Sequence, residues 1–264
     1  MHFNFQKYQG TGNDFVILDN RDFKFPKDDI QLIERICDRR FGVGADGLML
    51  VENADGFDFR MVYYNSDGRQ STMCGNGGRC IAAFVMNNKI AGSKGQFIAI
   101  DGPHDYVINE EGLVKLNMID VNDIELSGED YILFTGSPHY VKFVDDLQNA
   151  DMYNGGKSIR YNDRFKQEGI NVNFVEKNEH TCALRTYERG VEDETYSCGT
   201  GTVAAALSIA EKFNMHNGPI HLETKGGLLN VYFEEKDGAY SNIWLEGPVK
   251  FVFDGVLDLK DFKK

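Results

Sequence analysis

Met73-Cys74-Gly75-Asn76-Gly77-Gly78 and Ser197-Cys198-Gly199-Thr200-Gly201-Thr202 write one short pattern twice in the chain. Each puts a cysteine on a glycine turn that opens a helix-like run, Ile81–Met86 after the first and Val203–Ala210 after the second. Both thiols are therefore expected at helix N-termini, where the macrodipole and the first backbone N–H groups favour negative charge. Cysteines in such settings ionise with a pKa of roughly 3.5–7.5, against about 8.5 for an ordinary thiol, which suits them as bases or nucleophiles near neutral pH. Two of them point to chemistry on two faces of one substrate.

The repeat extends well beyond the cysteines. Cys198 follows Cys74 by 124 residues, and the same separation relates Gly136 to Gly12, Val175 to Val51, Glu176 to Glu52 and Tyr187 to Tyr63. Thr11-Gly12-Asn13-Asp14-Phe15-Val16 has its counterpart in Thr135-Gly136-Ser137-Pro138-His139-Tyr140-Val141, each leading into an apolar run. A constant register over this length predicts an internal duplication: half-domains 1–119, carrying Cys74, and 120–264, carrying Cys198, with the last strand able to return to the first half. The boundary is expected near Asp120–Ser127. Ligand sites form preferentially between such domains, so a shared cleft served by both cysteine-capped helices is the expectation.

A chain of 264 residues has room for two domains with real cores, and a hydrophobic fraction of 42% is ordinary for a globular protein. The net charge of −13 argues against nucleic acid or an anionic membrane as the main partner. Met1–Tyr8 alternates like a strand and lacks the basic-then-apolar layout of a signal peptide. No window approaches the roughly 18 apolar residues of a membrane span, and a cytoplasmic protein is expected. Five cysteines without a Cys-x-x-Cys pair fit a reducing compartment better than a disulfide framework.

Strands dominate the pattern: Phe97–Ile100, Tyr106–Ile108, Val114–Met118, Tyr140–Val144 and Val231–Glu234 are short, β-rich and punctuated by Gly, Asp and Asn. Helices are predicted over Asp28–Cys37, Gly77–Asn87 and Thr200–Phe213. The small faces Ala82-Ala83 and Ala204-Ala205-Ala206 would let the last two lie close against a curved sheet. The predicted class is α/β of the α+β type, with two pseudo-symmetric halves. Gly42-Val43-Gly44-Ala45-Asp46-Gly47 matches a dinucleotide fingerprint in letters only. It follows a helical run and precedes a strand-like one, the reverse of the order pyrophosphate binding needs, and reads as a helix C-terminal turn.

With these residues in view, the chain resembles the diaminopimelate epimerases, cofactor-independent enzymes of lysine and cell-wall synthesis. The resemblance runs nearly end to end: Gly10-Thr11-Gly12-Asn13-Asp14-Phe15, Asn65-Ser66-Asp67-Gly68, Met73–Cys80, Tyr187-Glu188-Arg189-Gly190 and Cys198–Gly201, in that order. It implies two similar halves, each a central helix wrapped by a strongly curved mixed sheet, and a homodimer. The implied reaction interconverts the LL and meso forms of 2,6-diaminopimelate by moving the proton at one Cα, with Cys74 and Cys198 as thiolate and thiol on opposite faces. Neither pyridoxal phosphate nor any other cofactor is expected.

By the same resemblance, backbone N–H groups of Gly75, Asn76, Gly199 and Thr200 receive the α-carboxylate. Glu188 and the backbone of Arg189 hold the reacting amino group. Asn65, Asn171 and the Arg189 side chain read the distal amino-acid end, and Asn13 and His139 line the same cavity. A zwitterionic tail needs donors and acceptors, which amides supply, and a guanidinium adds a bidentate grip on a carboxylate.

The chain departs from the commonest family pattern in three places. Ser137 stands where many members have Asn, Gly47 stands where some carry a substrate-contacting Gln, and Val191–Thr195 is one residue longer than usual. The loss of the amide at Ser137 keeps open a related racemase of another amino acid, such as histidine or proline. Against proline stands Asn76, where proline racemases usually have His. Non-catalytic relatives typically lose the cysteines, and both are kept here.

Buried cysteine is usually a small hydrophobe, the reading for Cys37 and Cys182, and Cys80, six residues beyond Cys74 in the same helix, is placed in the core. For Cys74 and Cys198 the alternative to catalysis is a disulfide joining them. No metal site is expected, since neither has a Cys or His beside it at ligand spacing. Glu192-Asp193-Glu194 reads most simply as a solvated loop.

Overall fold

The computed structural model describes residues 1–177 and 182–262. The chain forms two compact units, Met1–Leu116 with Pro248–Lys264, and Asn117–Gly247.

In the first unit run β1 (His2–Gly10), β2 (Asn13–Asp19), α1 (Ile30–Cys37), β3 (Gly47–Glu52), β4 (Phe59–Asn65), α2 (Gly75–Asn87), β5 (Lys94–Ala99), β6 (Gly102–Ile108) and β7 (Val114–Asn117). The second follows with β8 (Ile124–Ser127), β9 (Asp130–Phe134), β10 (Pro138–Phe143), α3 (Met152–Arg160), β11 (Asn171–Lys177), β12 (Cys182–Glu188), β13 (Asp193–Thr195), α4 (Gly199–Phe213), β14 (Ile220–Thr224), β15 (Gly227–Lys236) and β16 (Ala239–Gly247). The last strand, β17 (Lys250–Asp258), pairs antiparallel with β1.

The strand pairing proves the repeat to be one plan used twice. In the first unit β1–β2 is antiparallel, β2–β3 parallel, β3–β4 antiparallel, β4–β5 parallel, and β5–β6–β7 antiparallel. The second gives the same series with β9–β10, β10–β11, β11–β12, β12–β14 and β14–β15–β16. β17 stands beside β1 as β8 stands beside β9. Registers agree in detail: Phe15 pairs with Gly47, and 124 residues on His139 pairs with Asn171. One landmark is corrected. Val172 faces Tyr187 as Leu48 faces Tyr64, so the structural counterpart of Tyr187 is Tyr64, because the span from β11 to β12 is one residue shorter.

Each unit wraps its mixed sheet around one central helix. All residues of α2 from Gly75 to Val85 are buried, and the helix touches β1, β2, β3 and β6. α4 touches strands from β9 to β16 and is buried along nearly its whole length. A helix apolar all round needs such a setting. The outer face of each sheet takes a second helix. Leu32, Ile33, Ile36 and Cys37 of α1 pack on Leu18, Leu48, Leu50 and Val62, so β3 is covered on both faces and all six of its residues are buried. Met152 of α3 does the same against Val172, Phe174 and Tyr187.

α3 is absent from the sequence expectation because Gly155-Gly156 reads as a breaker. It forms because Asp151 caps it, accepting from the Asn154 N–H at 3.0 Å, and because the sheet demands the small residue. A Cβ at Gly156 would lie 2.4 Å from the Tyr187 ring. The Gly42–Gly44 turn folds back over α1, Gly42 N–H donating to Asp38 O at 3.0 Å and Val43 N–H to Ile36 O at 2.9 Å. Among the described residues no helix is long and apolar enough to cross a membrane.

Candidate active site

Cys74 and Cys198 are the N-cap residues of α2 and α4, both with extended backbone. The first intrahelical bonds run from Gly78 N–H to Cys74 O at 2.7 Å and from Thr202 N–H to Cys198 O at 2.8 Å. The N–H groups of Gly75, Asn76, Gly199 and Thr200 thus belong to the first turn of each helix, where the dipole is positive.

Around Cys74 the hairpin between β1 and β2 supplies the neighbours. Thr11 (φ 47°) and Gly12 (φ 95°) both take the left-handed conformation, the turn that a two-residue hairpin closed by Gly10 and Asn13 requires. Threonine is strained there. Its hydroxyl is put to use, donating to Asn76 Oδ1 at 3.2 Å. Arg79 Nη2 donates to the same oxygen at 2.9 Å. A guanidinium can only donate, so the amide is oriented with Nδ2 toward Asn13, whose Oδ1 lies 2.5 Å away. Asn13 Nδ2 donates to Asp46 Oδ2 at 3.0 Å. Beside it, burial pushes the Asp14 carboxyl up, but hydrogen bonds and charge from Arg39 and Lys7 prevail and hold it down at about 2. Asn65, exposed at the end of β4, pairs in the ladder with Gly47 and joins none of these side-chain bonds among those resolved.

Around Cys198 the corresponding positions carry different groups. Cys198 Sγ lies 3.5 Å from Thr200 Oγ1, which lies 2.9 Å from His139 Nε2. Ser137 Oγ is 2.9 Å from the same ring nitrogen and accepts from Asn171 Nδ2 at 3.0 Å. His139 is fully buried. Burial, helped by the charge of Arg189, pushes its pKa down to about 3, so the ring is neutral at neutral pH. Its tautomer follows from Asn173. That amide accepts from Thr186 Oγ1 at 2.9 Å, donates to Tyr140 O at 3.1 Å, and therefore presents N–H to His139 Nδ1 at 3.0 Å. Nδ1 accepts, and Nε2 carries the proton toward Ser137 and Thr200. Asn171 Oδ1 accepts the backbone N–H of Arg189 at 2.9 Å, while the Arg189 side chain donates to Glu168 O at 3.1 Å. Glu188, at the end of β12, accepts from Thr195 Oγ1 at 3.0 Å.

The predicted residues thus gather as two groups: Cys74, Gly75, Asn76 and Asn13 in the first unit, and Cys198, Gly199, Thr200, His139, Asn171 and Arg189 in the second. Thr11, Arg79, Asn173 and Thr186 complete these networks and are absent from the sequence expectation. Asn173 was legible: it shares a strand face with Asn171, two polar residues in an otherwise apolar run. The remaining cysteines are core residues, Cys37, Cys80 and Cys182 all being buried and their pKa values raised by burial.

Glu192-Asp193-Glu194 is not the solvated loop expected. Asp193–Thr195 forms β13 against β12, Glu194 takes Arg185 at 2.6 Å and Lys225 at 2.6 Å, and Glu192 takes Arg160 at 3.3 Å. Three cations convert an acidic run into a strand edge. Among the described residues no cluster of three or more His, Cys, Asp or Glu is arranged to hold a metal ion.

The family model described as diaminopimelate epimerase matches residues 5–120 and 131–252. A curated diaminopimelate epimerase of Flavobacterium psychrophilum is 51% identical over 249 residues, covering 94% of this chain and 97% of its own. Among solved structures, a phenazine biosynthesis protein of the PhzF family from Bacillus anthracis superposes with a TM-score of 0.74 at 15% identity, over 97% of this chain and 99% of that one. A hydroxyproline epimerase from Agrobacterium vitis, solved with bound trans-4-hydroxy-L-proline, gives 0.70 at 10% identity, over 97% and 92%. At these identities the two structures show a shared fold.

Proposed function

The chain belongs to the diaminopimelate epimerase family, and on that premise we propose that Cys74 and Cys198 together invert one Cα of 2,6-diaminopimelate, interconverting its LL and meso forms. In one direction the Cys74 thiolate takes the proton from Cα, becoming a thiol and leaving a carbanion. The Cys198 thiol then delivers its proton to the opposite face and is left as a thiolate. The reverse direction exchanges the roles. The Cα–H is a very weak acid, so charge developing toward the carboxylate must be met electrostatically. N–H groups of Gly75, Asn76, Gly199 and Thr200 are the fixed donors for that oxyanion. Glu188 and the Arg189 backbone hold the reacting ammonium, Asn65, Asn171 and the Arg189 guanidinium take the distal end, and Asn13 and His139 line the site. The reading includes catalysis without pyridoxal phosphate or metal, by a cytoplasmic homodimer.

The observation that carries the proposal is the placement of both cysteines as N-caps of the buried central helices, in a chain half identical to a named epimerase. Solvent isotope tests it. In D₂O the product acquires deuterium at the inverted Cα from the first turnover, while early unreacted substrate stays protonated. Product that keeps its original hydrogen defeats the two-base assignment.

A further inference from the structure

Arg79, one helical turn beyond Cys74, is fully buried. Its Nη1 donates to Gly75 O at 3.3 Å, and its Nη2 to Asn76 Oδ1 at 2.9 Å and Thr11 Oγ1 at 3.1 Å. Its Nε has no partner, and no carboxylate pairs with it among the described residues. Every partner is neutral. From the second turn of α2 the guanidinium reaches back to Gly75 and Asn76 in the first, where the helix dipole is itself positive. A cation so placed is unfavourable twice over unless an anion stands near it. Burial lowers its pKa to about 10, with the Cys74 sulfur among the groups acting in the opposite sense, so it stays charged at neutral pH.

The other ionisable groups near this helix end do not supply the anion. Cys80 and, from β1, Tyr8 are pushed up by burial and remain neutral. Asp14 of β2 is engaged by Lys7 and Arg39. Asp101, which accepts from the Met73 N–H at 3.4 Å, is paired with His104. Among the described residues the candidate that remains is the Cys74 sulfur, whose charge acts to hold the Arg79 guanidinium protonated. The second motif has no such cation: 124 residues beyond Arg79 stands Val203.

We infer that Arg79 is the positioning residue of the Cys74 site, its buried guanidinium holding Cys74 as the resting thiolate while fixing the Asn76 amide toward Asn13. The inference rests on the assignment of Cys74 as a proton carrier. It makes the two thiols unequal before substrate arrives.

Alkylation of the substrate-free protein by iodoacetamide across pH, with peptide mapping to follow Cys74 and Cys198 separately, tests it. In the unmodified sequence Cys74 reacts at lower pH than Cys198 and below the roughly 8.5 of an ordinary thiol. Arg79→Gln raises the Cys74 midpoint by about one unit or more, the effect of removing an adjacent opposite charge, and Arg79→Lys restores it. The Cys198 midpoint stays put in all three. The acid limb of the pH–rate profile moves with Cys74. A Cys74 midpoint unchanged in folded Arg79→Gln, or one that shifts together with that of Cys198, overturns the inference. Should the variants not fold, Cys74 reacting no earlier than an ordinary thiol in the unmodified protein does the same. Failure of the parent assignment looks different: Cys74→Ala would keep its turnover.

Discussion

Acidifying the protein from about pH 7.5 to about pH 5 should weaken it through His139. In the unfolded chain this histidine titrates near 6.5, and in the fold burial and the Arg189 charge take it down to about 3. Above pH 6.5 the ring is neutral in both states and contributes nothing to pH dependence. Below it the unfolded chain binds a proton that the folded chain refuses, so stability falls as pH falls, at about 1.4 kcal/mol per unit, until the folded pKa is reached. At pH 5, 1.5 units down, the loss is about 2 kcal/mol. The window isolates histidine from the stabilised carboxylates. Asp14 and Asp258, held at about 2, withdraw their contribution only as pH falls below about 5. Urea unfolding of the parent and of His139→Asn at both pH values measures the effect, the asparagine keeping a hydrogen-bonding side chain in the network. The parent should lose about 2 kcal/mol more than the variant on acidification. Equal losses would mean that His139 is protonated or solvated in the native state, and the assignment of Nε2–H as donor toward Thr200 would fall with it.

Cys74→Ala and Cys198→Ala should each abolish epimerisation, followed by chiral chromatography, while circular dichroism stays native; near-normal turnover in either marks that cysteine as structural. Arg189→Ala should raise KM about tenfold or more, since a charge-assisted hydrogen bond is worth about 1.5–3 kcal/mol, and Arg189→Lys should rescue it only in part. Gly156→Ala should destabilise by about 1–3 kcal/mol, because its Cβ would collide with the Tyr187 ring; an unchanged melting temperature would show that α3 shifts to admit it.

Much of this was legible from one dimension. The cysteine–glycine motifs marked the starts of α2 and α4 to within two residues, because a helix that follows a glycine turn needs no tertiary information to begin. The constant spacing announced two copies of one fold. What was hidden depends on partners far away in sequence. α3 looks broken at Gly155-Gly156 until Tyr187 is placed against it, and the acidic run at 192–194 looks solvated until Arg160, Arg185 and Lys225 arrive. Arg79 was invisible for a similar reason: a charge in a helix ordinarily marks its wet face, and this helix has none over its first three turns.

The duplication kept the backbone and exchanged the chemistry beneath it. In the first unit the strand positions under α2 are apolar, Phe15 meeting Tyr63 edge-on with ring centroids 5.9 Å apart and Met49 lying near Gly77, while the ionisable group comes from the helix as Arg79. In the second, the positions paired with Phe15 and Met49 are His139 and Asn173, and the helix position paired with Arg79 is Val203. A polar layer on the helix in one copy has become a polar layer on the sheet in the other. Had both copies kept the arginine, each cysteine would rest beside a buried cation, and both would be drawn toward the thiolate. Had both kept the histidine, neither would have a fixed charge to favour ionisation. The copies differ at the residues that touch Asn76 and Thr200, one step behind each sulfur, and under the proposed reaction that difference sets which cysteine rests ionised.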